Sequence, residues 1–586
     1  MTRKKKKRAP RDRRKVKRAR PDRRKAPQPA ALDPITLEVV RNKLDGIANE
    51  MESTLLRSSF STVVKEGLDA SASLFTLEGE TLAQAIAIPI HLATLIPIVE
   101  TFIARFPVDG MREGDIYVMN DPYLGGTHLP DIALVMPVFH GGRPVALSAA
   151  MTHHQDVGGM SPGSVPPNAT EIYQEGIRIP PLKLRDAGVL NDTLIEMLKL
   201  NVRIPETFMG DIGAQIAACT VGARRLGELA ARYGHNQLGA MFHELLDRSE
   251  RLTREALRAI PQGTYRYLDY LDNDGIELDR PVPIQVAVTI GDGTLHCDFE
   301  GTSAQVRGPF NCVRSGAQAA AFYAVRALTD AAIPTNGGCF RPVSLALPEG
   351  SLVNPLEPAP VGSRTSTIKR ITSCIVGALK EALPERVPAD SASELLVLMF
   401  GGRRAGGKRF VVGEFTAGGS GGGPHRDGVD VIETDASNCM NLPAEALELE
   451  APIRVRRMAL RRDSGGAGRF RGGLGCVREF EVLAGEVTLT HRGERHVHPA
   501  RGSQGGGPGA RACSRILRAD GREEIIPSKQ LTTLREGDRL LVETAGGGGY
   551  GDPLTRPREA LREDVRDGKV SHTAATAVYG LGEGGD

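Results

Sequence analysis

The residues best suited to chemistry lie between positions 120 and 156. The segment Asn120-Asp-Pro-Tyr-Leu-Gly-Gly-Thr-His128-Leu-Pro-Asp131 sets an imidazole and a carboxylate three apart in a turn-rich stretch. His153, His154 and Asp156 follow the next apolar run. A divalent first-row cation takes imidazole nitrogens and carboxylate oxygens converging from separate elements, with a position left for water. These residues supply such a donor set. They would serve equally in an Asx-turn and a helix cap with surface hydrogen bonds, and spacing alone does not choose.

The elements around them are short and apolar. Ile116–Met119, Ile132–Phe139 and Val145–Met151 are predicted strands, with Gly141-Gly142 turning between the last two. The candidate ligands therefore fall on loops and strand ends, where a rigid scaffold commonly holds a site. Upstream, Ile35, Val39, Leu44, Ile47, Met51 and Leu55 predict a helix over 35–59. Residues 62–88 read as strands and 91–106 as a helix. Residues 192–260 form the longest helical tract. Strands follow over 263–313, then helices over 314–331 and 366–383. After 400 the chain turns Gly-rich with short strands.

At 586 residues the chain is too long for one core. The pattern predicts a mixed α/β (α+β), multi-domain protein. A metal-binding α/β domain is expected at 33–190, a helical segment at 191–262, an α+β domain at 263–400 and a Gly-rich β-containing region at 401–586. The net charge of +3 conceals a split: residues 1–25 carry a net +14, which leaves −11 for residues 26–586. The block 1–32 is expected to be a disordered basic tail. It has no aromatics to stack on bases, so nucleic acid is not an expected partner except through that tail. The eight cysteines form no C-x-x-C pair and read as reduced thiols, which places the protein in the cytoplasm. No signal-peptide core and no 18-residue apolar run occur, so no membrane span is expected.

Other motifs carry less. Gly402 to Lys408 nearly spells a phosphate loop, but Arg409 follows and the next segment reads as a strand, not a helix. The glycine runs at 418–423 and 546–549 read as flexible turns. His491, His496 and His498 form a second imidazole cluster, expected on a solvated hairpin. No G-x-S-x-G elbow suggests a side-chain nucleophile.

Over residues 33–584 the chain closely resembles the hydantoinase B family, which also takes in 5-oxoprolinase and acetone carboxylase alpha subunits. The shared motifs include Asp33-Pro-Ile-Thr-Leu-Glu-Val, Lys65-Glu-Gly-Leu-Asp69, Pro89-Ile-His91 and Asn120 to Asp131. Asn201-x-Arg203-x-Pro205, Asp463-Ser-Gly-Gly, Arg471-Gly-Gly-Leu-Gly475 and Gly546-Gly-Gly-Gly-Tyr-Gly-Asp-Pro553 continue them. Gly67 stands where the family pattern has Arg, and Ala93 where it has Gly. The resemblance implies that His128, Asp131 and His153 hold a divalent metal (zinc, manganese or iron), with Asp69 as a fourth ligand. It makes His154 and Asp156 candidates for orienting a ligand or a water and for accepting a proton. It also implies a hydantoinase A-like ATPase partner in an α2β2 assembly. That partner would spend ATP to phosphorylate a small cyclic amide, whose ring this chain then opens. The alternatives are a subunit of an ATP-dependent ketone carboxylase and a non-catalytic partner of the ATPase.

Overall fold

The structure, a computed structural model, describes residues 32–582. The expected basic tail lies outside them but for its last residue. Helix α1 (Pro34–Ser58) starts where Asp33 accepts from the Thr36 N–H at 2.9 Å and Pro34 fills the first helical position. Its buried stripe is Leu37, Val40, Leu44, Ile47, Met51 and Leu55, while Ile35 and Val39 face outward. A single turn, α2 (Thr62–Lys65), stands where a strand was expected, because Ser61 caps it.

An antiparallel sheet of seven strands carries the candidate ligands. Its members are β1 (Ala70–Phe75), β2 (Thr81–Gln84), β3 (Ile116–Met119), β4 (Asp131–His140), β5 (Arg143–His153), β6 (Leu182–Asp186) and β7 (Val189–Leu190), in the order β2-β1-β5-β4-β3-β6-β7. α3 (His91–Arg105) packs on one face. On the other lie α1 and the helices α4 (Asp192–Asn201) and α5 (Pro205–Tyr233), with α5 crossing β4 and β5. α6 (His235–Arg258) leads into a second sheet, β8 (Gly263–Leu271), β9 (Val282–Gly291), β10 (Thr294–Asp298) and β11 (Val343–Ala346), in which only β10 and β11 run parallel. α7 (Arg314–Leu328) packs on α3 and on α8 (Arg364–Ala378), and α8 lies on β8 and β9.

Two antiparallel sheets close the chain as a sandwich. One is formed by β12 (Leu395–Arg403), β13 (Arg409–Ala417), β16 (Glu486–Arg492) and β19 (Lys529–Arg535). The other holds β14 (Ile453–Leu460), β15 (Cys476–Val482), β17 (Cys513–Leu517), β18 (Glu523–Ile526) and β20 (Arg539–Glu543), with α9 (Ala444–Glu450) beside them. Side chains alternate along β12. Leu396, Leu398 and Phe400 enter the sandwich core, whereas Leu395, Val397 and Met399 face the rest of the molecule. α10 (Arg558–Arg566) and α11 (His572–Ala577) end the described chain. Among the described residues no helix is long and apolar enough to cross a membrane.

The glycine runs are not flexible turns. Residues 545–550 are buried and extended, with successive amides reaching different neighbours. The N–H groups of Gly546 and Gly549 donate to Ala510 and Gly507, those of Gly547 and Tyr550 to Gly473 and Phe470, and that of Gly548 to Asp390. The direction repeats every three residues, the period of a polyproline II helix. Backbones approach so closely that a Cβ on Gly547 would meet the Ser420 carbonyl oxygen at 1.9 Å. Gly547→Ala is therefore expected to destabilise the fold by about 3 kcal/mol or more. Gly46→Ala, on α1 with nothing within 4 Å of its Cβ, is expected to stabilise it by about 0.5–1 kcal/mol. Denaturant unfolding of the two variants checks both signs.

Glu52 sits on the buried stripe of α1 with Oε2 unpartnered, and burial pushes its carboxyl up to about 8. The native state thus keeps a proton that the unfolded chain releases, so this residue's contribution to stability falls as pH rises through about 8. The Tm advantage of Glu52→Gln over the wild type is expected to grow between about pH 5 and about pH 8.

Candidate metal centre

The register of the seven-stranded sheet builds the centre. Asp131 opens β4 directly opposite His153, which ends β5. On the far side of β5, the His153 N–H donates to the Asp69 carbonyl at 3.0 Å, just ahead of β1. Asp69, His153 and Asp131 thus stand in a row across three strand ends. Ala133, Val135, Ala149 and Met151, at even steps from the last two, pack against α3. Period-two alternation sends Asp131 and His153 to that same face. His91, the first residue of α3, covers the row. Its Nε2 lies 3.6 Å from Asp69 Oδ1 and 3.9 Å from Asp131 Oδ1.

His128 comes from the turn before β4. Its Nδ1 lies 3.0 Å from the Gly362 carbonyl oxygen, an acceptor, so Nδ1 carries the hydrogen and donates. The lone pair of the neutral ring is then on Nε2, which faces Asp131 Oδ1 at 3.1 Å. Both atoms are buried and have no hydrogen-bond partner. Burial and the Arg364 charge lower the pKa of His128, which disfavours the imidazolium that would otherwise relieve this contact. A cation between the two atoms relieves it directly. Donor atoms of His128, Asp131 and His153 all lie within 4.8 Å of one another. The residues present therefore fit a divalent metal, and mixed imidazole and carboxylate donors suit zinc, manganese or iron.

The surroundings tune this set. Burial pushes His91 down to about 4 and takes His153 well below its ordinary value, so both rings are neutral and able to bind a metal. Burial and the neighbouring Asp131 charge raise Asp69 above the usual carboxylate range. Against its own burial, Asp131 is held well down by the Arg364 guanidinium. Its Oδ2 accepts from Thr127 Oγ1 and from Arg364 at the start of α8. Glu175 fixes the Gly362 carbonyl from behind, accepting the Val361 and Gly362 N–H groups at 3.1 and 2.7 Å.

His154 and Asp156 are not brought into this cluster. His154 lies one residue beyond β5 and points to the opposite face. There its Nε2 is 3.2 Å from Gln215 Oε1 on α5 and its ring packs on Phe208. Asp156 accepts from the N–H groups of Gly158, Gly163 and Arg203 and from the Arg203 guanidinium, which ties down a loop. The expectation that either accepts a proton in the site gives way to this placement. Sequence reasoning overlooked His91 as a site residue, although it closes the Pro89-Ile90-His91 motif. Arg364, Arg492 and Glu175 were also missed, and no spacing marks them.

In the second imidazole cluster His491 is buried, while His496 and His498 are half-buried. His491 is satisfied by the Ser528 carbonyl and Ser514 Oγ, and His496 Nδ1 by the Glu494 carbonyl. Gly402 to Lys408 form the turn of the β12–β13 hairpin, where Arg403 pairs with Arg409.

The chain matches the family model described as Hydantoinase B/oxoprolinase over residues 33–553. It is 35% identical to the beta chain of the caprolactamase of Pseudomonas jessenii over 562 residues, covering 94% of this chain and 96% of that protein. It is 32% identical to the B component of a putative D-/L-hydantoinase from a Pseudomonas species over 573 residues, covering 94% and 95%. Among solved structures, the ATP-dependent caprolactamase of Pseudomonas jessenii superposes with a TM-score of 0.88 at 33% identity, covering 95% of this chain and 98% of that one.

His128→Ala is expected to abolish stoichiometric metal binding with little change in fold. His154→Ala is expected to keep the metal and lose about 1–3 kcal/mol of stability through the stranded Gln215. Metal content by mass spectrometry, with Tm beside it, separates the two. Retention of metal by His128→Ala would sink the assignment.

Proposed function

The chain belongs to the hydantoinase B/oxoprolinase family, and on that premise we propose that it is the metal-bearing subunit of an ATP-dependent cyclic-amide hydrolase. Its substrate is a lactam, hydantoin or 5-oxoproline ring already phosphorylated by a hydantoinase A-like partner, in an α2β2 assembly. The observation that carries this reading is the His128 Nε2 to Asp131 Oδ1 contact of 3.1 Å, two buried acceptors that need a cation. The names of the relatives support a multi-subunit, ATP-dependent enzyme for cyclic amides. They describe subunits of enzymes that act on cyclic amides, and the caprolactamase is called ATP-dependent.

A cyclic amide resists water because its nitrogen donates into the carbonyl. Phosphorylation of the amide oxygen removes that resonance. Water then adds to the activated carbon, and the ring C–N bond breaks as the nitrogen gains a proton. The resulting acyl phosphate takes a second water and releases phosphate and the carboxylate. A divalent cation held by His128, Asp131 and His153, with Asp69 beside them, would polarise an oxygen and supply a nucleophilic water near neutral pH. His91 faces Asp69 and Asp131 and its Nδ1 has no partner, so this neutral imidazole is positioned to hydrogen-bond and orient the attacking water. Arg364 holds Asp131 in place through its Oδ2. Leu395, Val397, Met399 and Phe415 wall the cavity and keep bulk water out.

Co-expression with the hydantoinase A-like partner is expected to give ATP-dependent opening of a lactam, hydantoin or 5-oxoproline ring. That activity should need no bicarbonate and be lost on chelation. His91→Ala is expected to lower kcat by roughly a hundredfold or more with metal retained. Turnover only of a ketone, and only with bicarbonate, would move the chain to the carboxylases and end this reading.

A further inference from the structure

The cavity at the metal centre has a cationic wall that none of the ligand roles explains. Its volume is about 30 Å³, and Asp69, His91, His128 and His153 line it together with Arg364 and Arg492. Both arginines are nine-tenths or more buried, at 4% and 3% exposure. Arg364 is partly neutralised by Asp131. Arg492, the last residue of β16, makes one hydrogen bond, from Nη1 to the Gly362 carbonyl at 3.2 Å. Its Nε is buried without a partner, as is that of Arg364. Among the described residues no carboxylate forms an ion pair with Arg492. A buried guanidinium without a counter-ion costs several kcal/mol, so a group retained in this state is matched to an anion that arrives from outside.

Charge counting identifies that anion's class. Asp69 and Asp131 bring two negative charges, and Arg364 and Arg492 two positive ones. A divalent cation on the ligand row then leaves the cavity at a net +2. A carboxylate supplies one negative charge, whereas a phosphoryl group supplies about 1.5 to 2. Guanidinium forks match phosphoryl oxygens in geometry as well as charge. The cavity is further lined by Thr365 in the first turn of the 15-residue helix α8, whose N-terminus adds partial positive charge.

We propose that Arg492 and Arg364 form an anion subsite that holds the phosphoryl group of the activated substrate beside the metal-ligating row. This rests on the hydrolase reading above and deepens it. The subsite fixes the oxygen that leaves with phosphate, and so fixes which face of the activated carbon meets water. A substrate without the phosphoryl group would leave the cavity with its charge unmatched.

The test uses the complex of the full chain with its partner, loaded with metal, and titrates inorganic phosphate by calorimetry, with acetate as the comparison anion. Phosphate is expected to bind saturably and more tightly than acetate. Arg492→Gln is expected to weaken phosphate by roughly tenfold to a hundredfold, the loss of a charged hydrogen bond, with metal content and Tm unchanged. Arg492→Lys, which keeps the charge and loses the fork, is expected to weaken it by a smaller factor, and it carries the test if the glutamine variant does not fold. Phosphate affinity equal to wild type in these variants, or acetate binding as tight as phosphate, would overturn the subsite. Metal loss or absent ring opening with Arg492-dependent phosphate binding intact would instead remove the hydrolase reading and leave the subsite standing.

Discussion

An imidazole lone pair and a carboxylate oxygen repel when they face each other in a dry interior, and the rest of this molecule is arranged to make them do so. The polarity of His128 is decided by a carbonyl 234 residues away in sequence. Gly362 takes the Nδ1 hydrogen and leaves Nε2 bare toward Asp131. Glu175 holds that carbonyl in turn through two backbone N–H groups, and a Cβ on Gly362 would lie 2.8 Å from the Glu175 Oε1 atom. A proton is a poor remedy at this depth, since burial lowers the basicity of the ring. A cation held between the two atoms would remove that repulsion, and its binding would release the electrostatic cost of the contact.

The same requirement explains why such distant segments converge. One sheet aligns Asp69, His153 and Asp131 at the ends of neighbouring strands. Two helices, α3 and α8, begin at the site and bring His91 and Arg364 on their first residues. The C-terminal sandwich supplies the opposite wall, because the odd-numbered residues of β12 turn away from its core, and β16 delivers Arg492. No single layer could exclude water from four donors and two guanidinium groups. The site lies where the layers meet, the usual place for a concave site built on rigid elements.

Most of this architecture was legible from local pattern. The helices at 34–58, 91–105 and 205–258 and the strands around 116–153 follow apolar periodicity closely. Within the site, residue types and spacing offered His128, Asp131, His153, His154 and Asp156 alike, the resemblance singled out His128, Asp131 and His153, and the structure brings those three together. His154 stands apart from the cluster for a simple reason: neighbours along an extended chain point to opposite faces, and only the burial of Ala150 and Ile132 against α5 shows which is which. Arg364, Arg492 and Glu175 act across more than 180 residues, or across 130 for Arg492, and single-sequence spacing carries no trace of such contacts. The glycine runs were misread for a similar reason. Glycine is permissive in turns, but here its use is the absence of a Cβ, which only the neighbouring backbones reveal.

That glycine interlock has a consequence for how the protein is made. The central run at 546–551 is the last of its segments to leave the ribosome, after those around 390, 420, 470 and 505. Until it arrives, the carbonyls of Asp390, Phe470, Gly473 and Gly507 that it satisfies have no partner. The bundle therefore locks only after synthesis has passed it, and Asp390 lies five residues ahead of the strand that walls the cavity. The wall of the candidate site is thus completed late, and a nascent chain stopped short of the run carries His128, Asp131 and His153 without the enclosure around them.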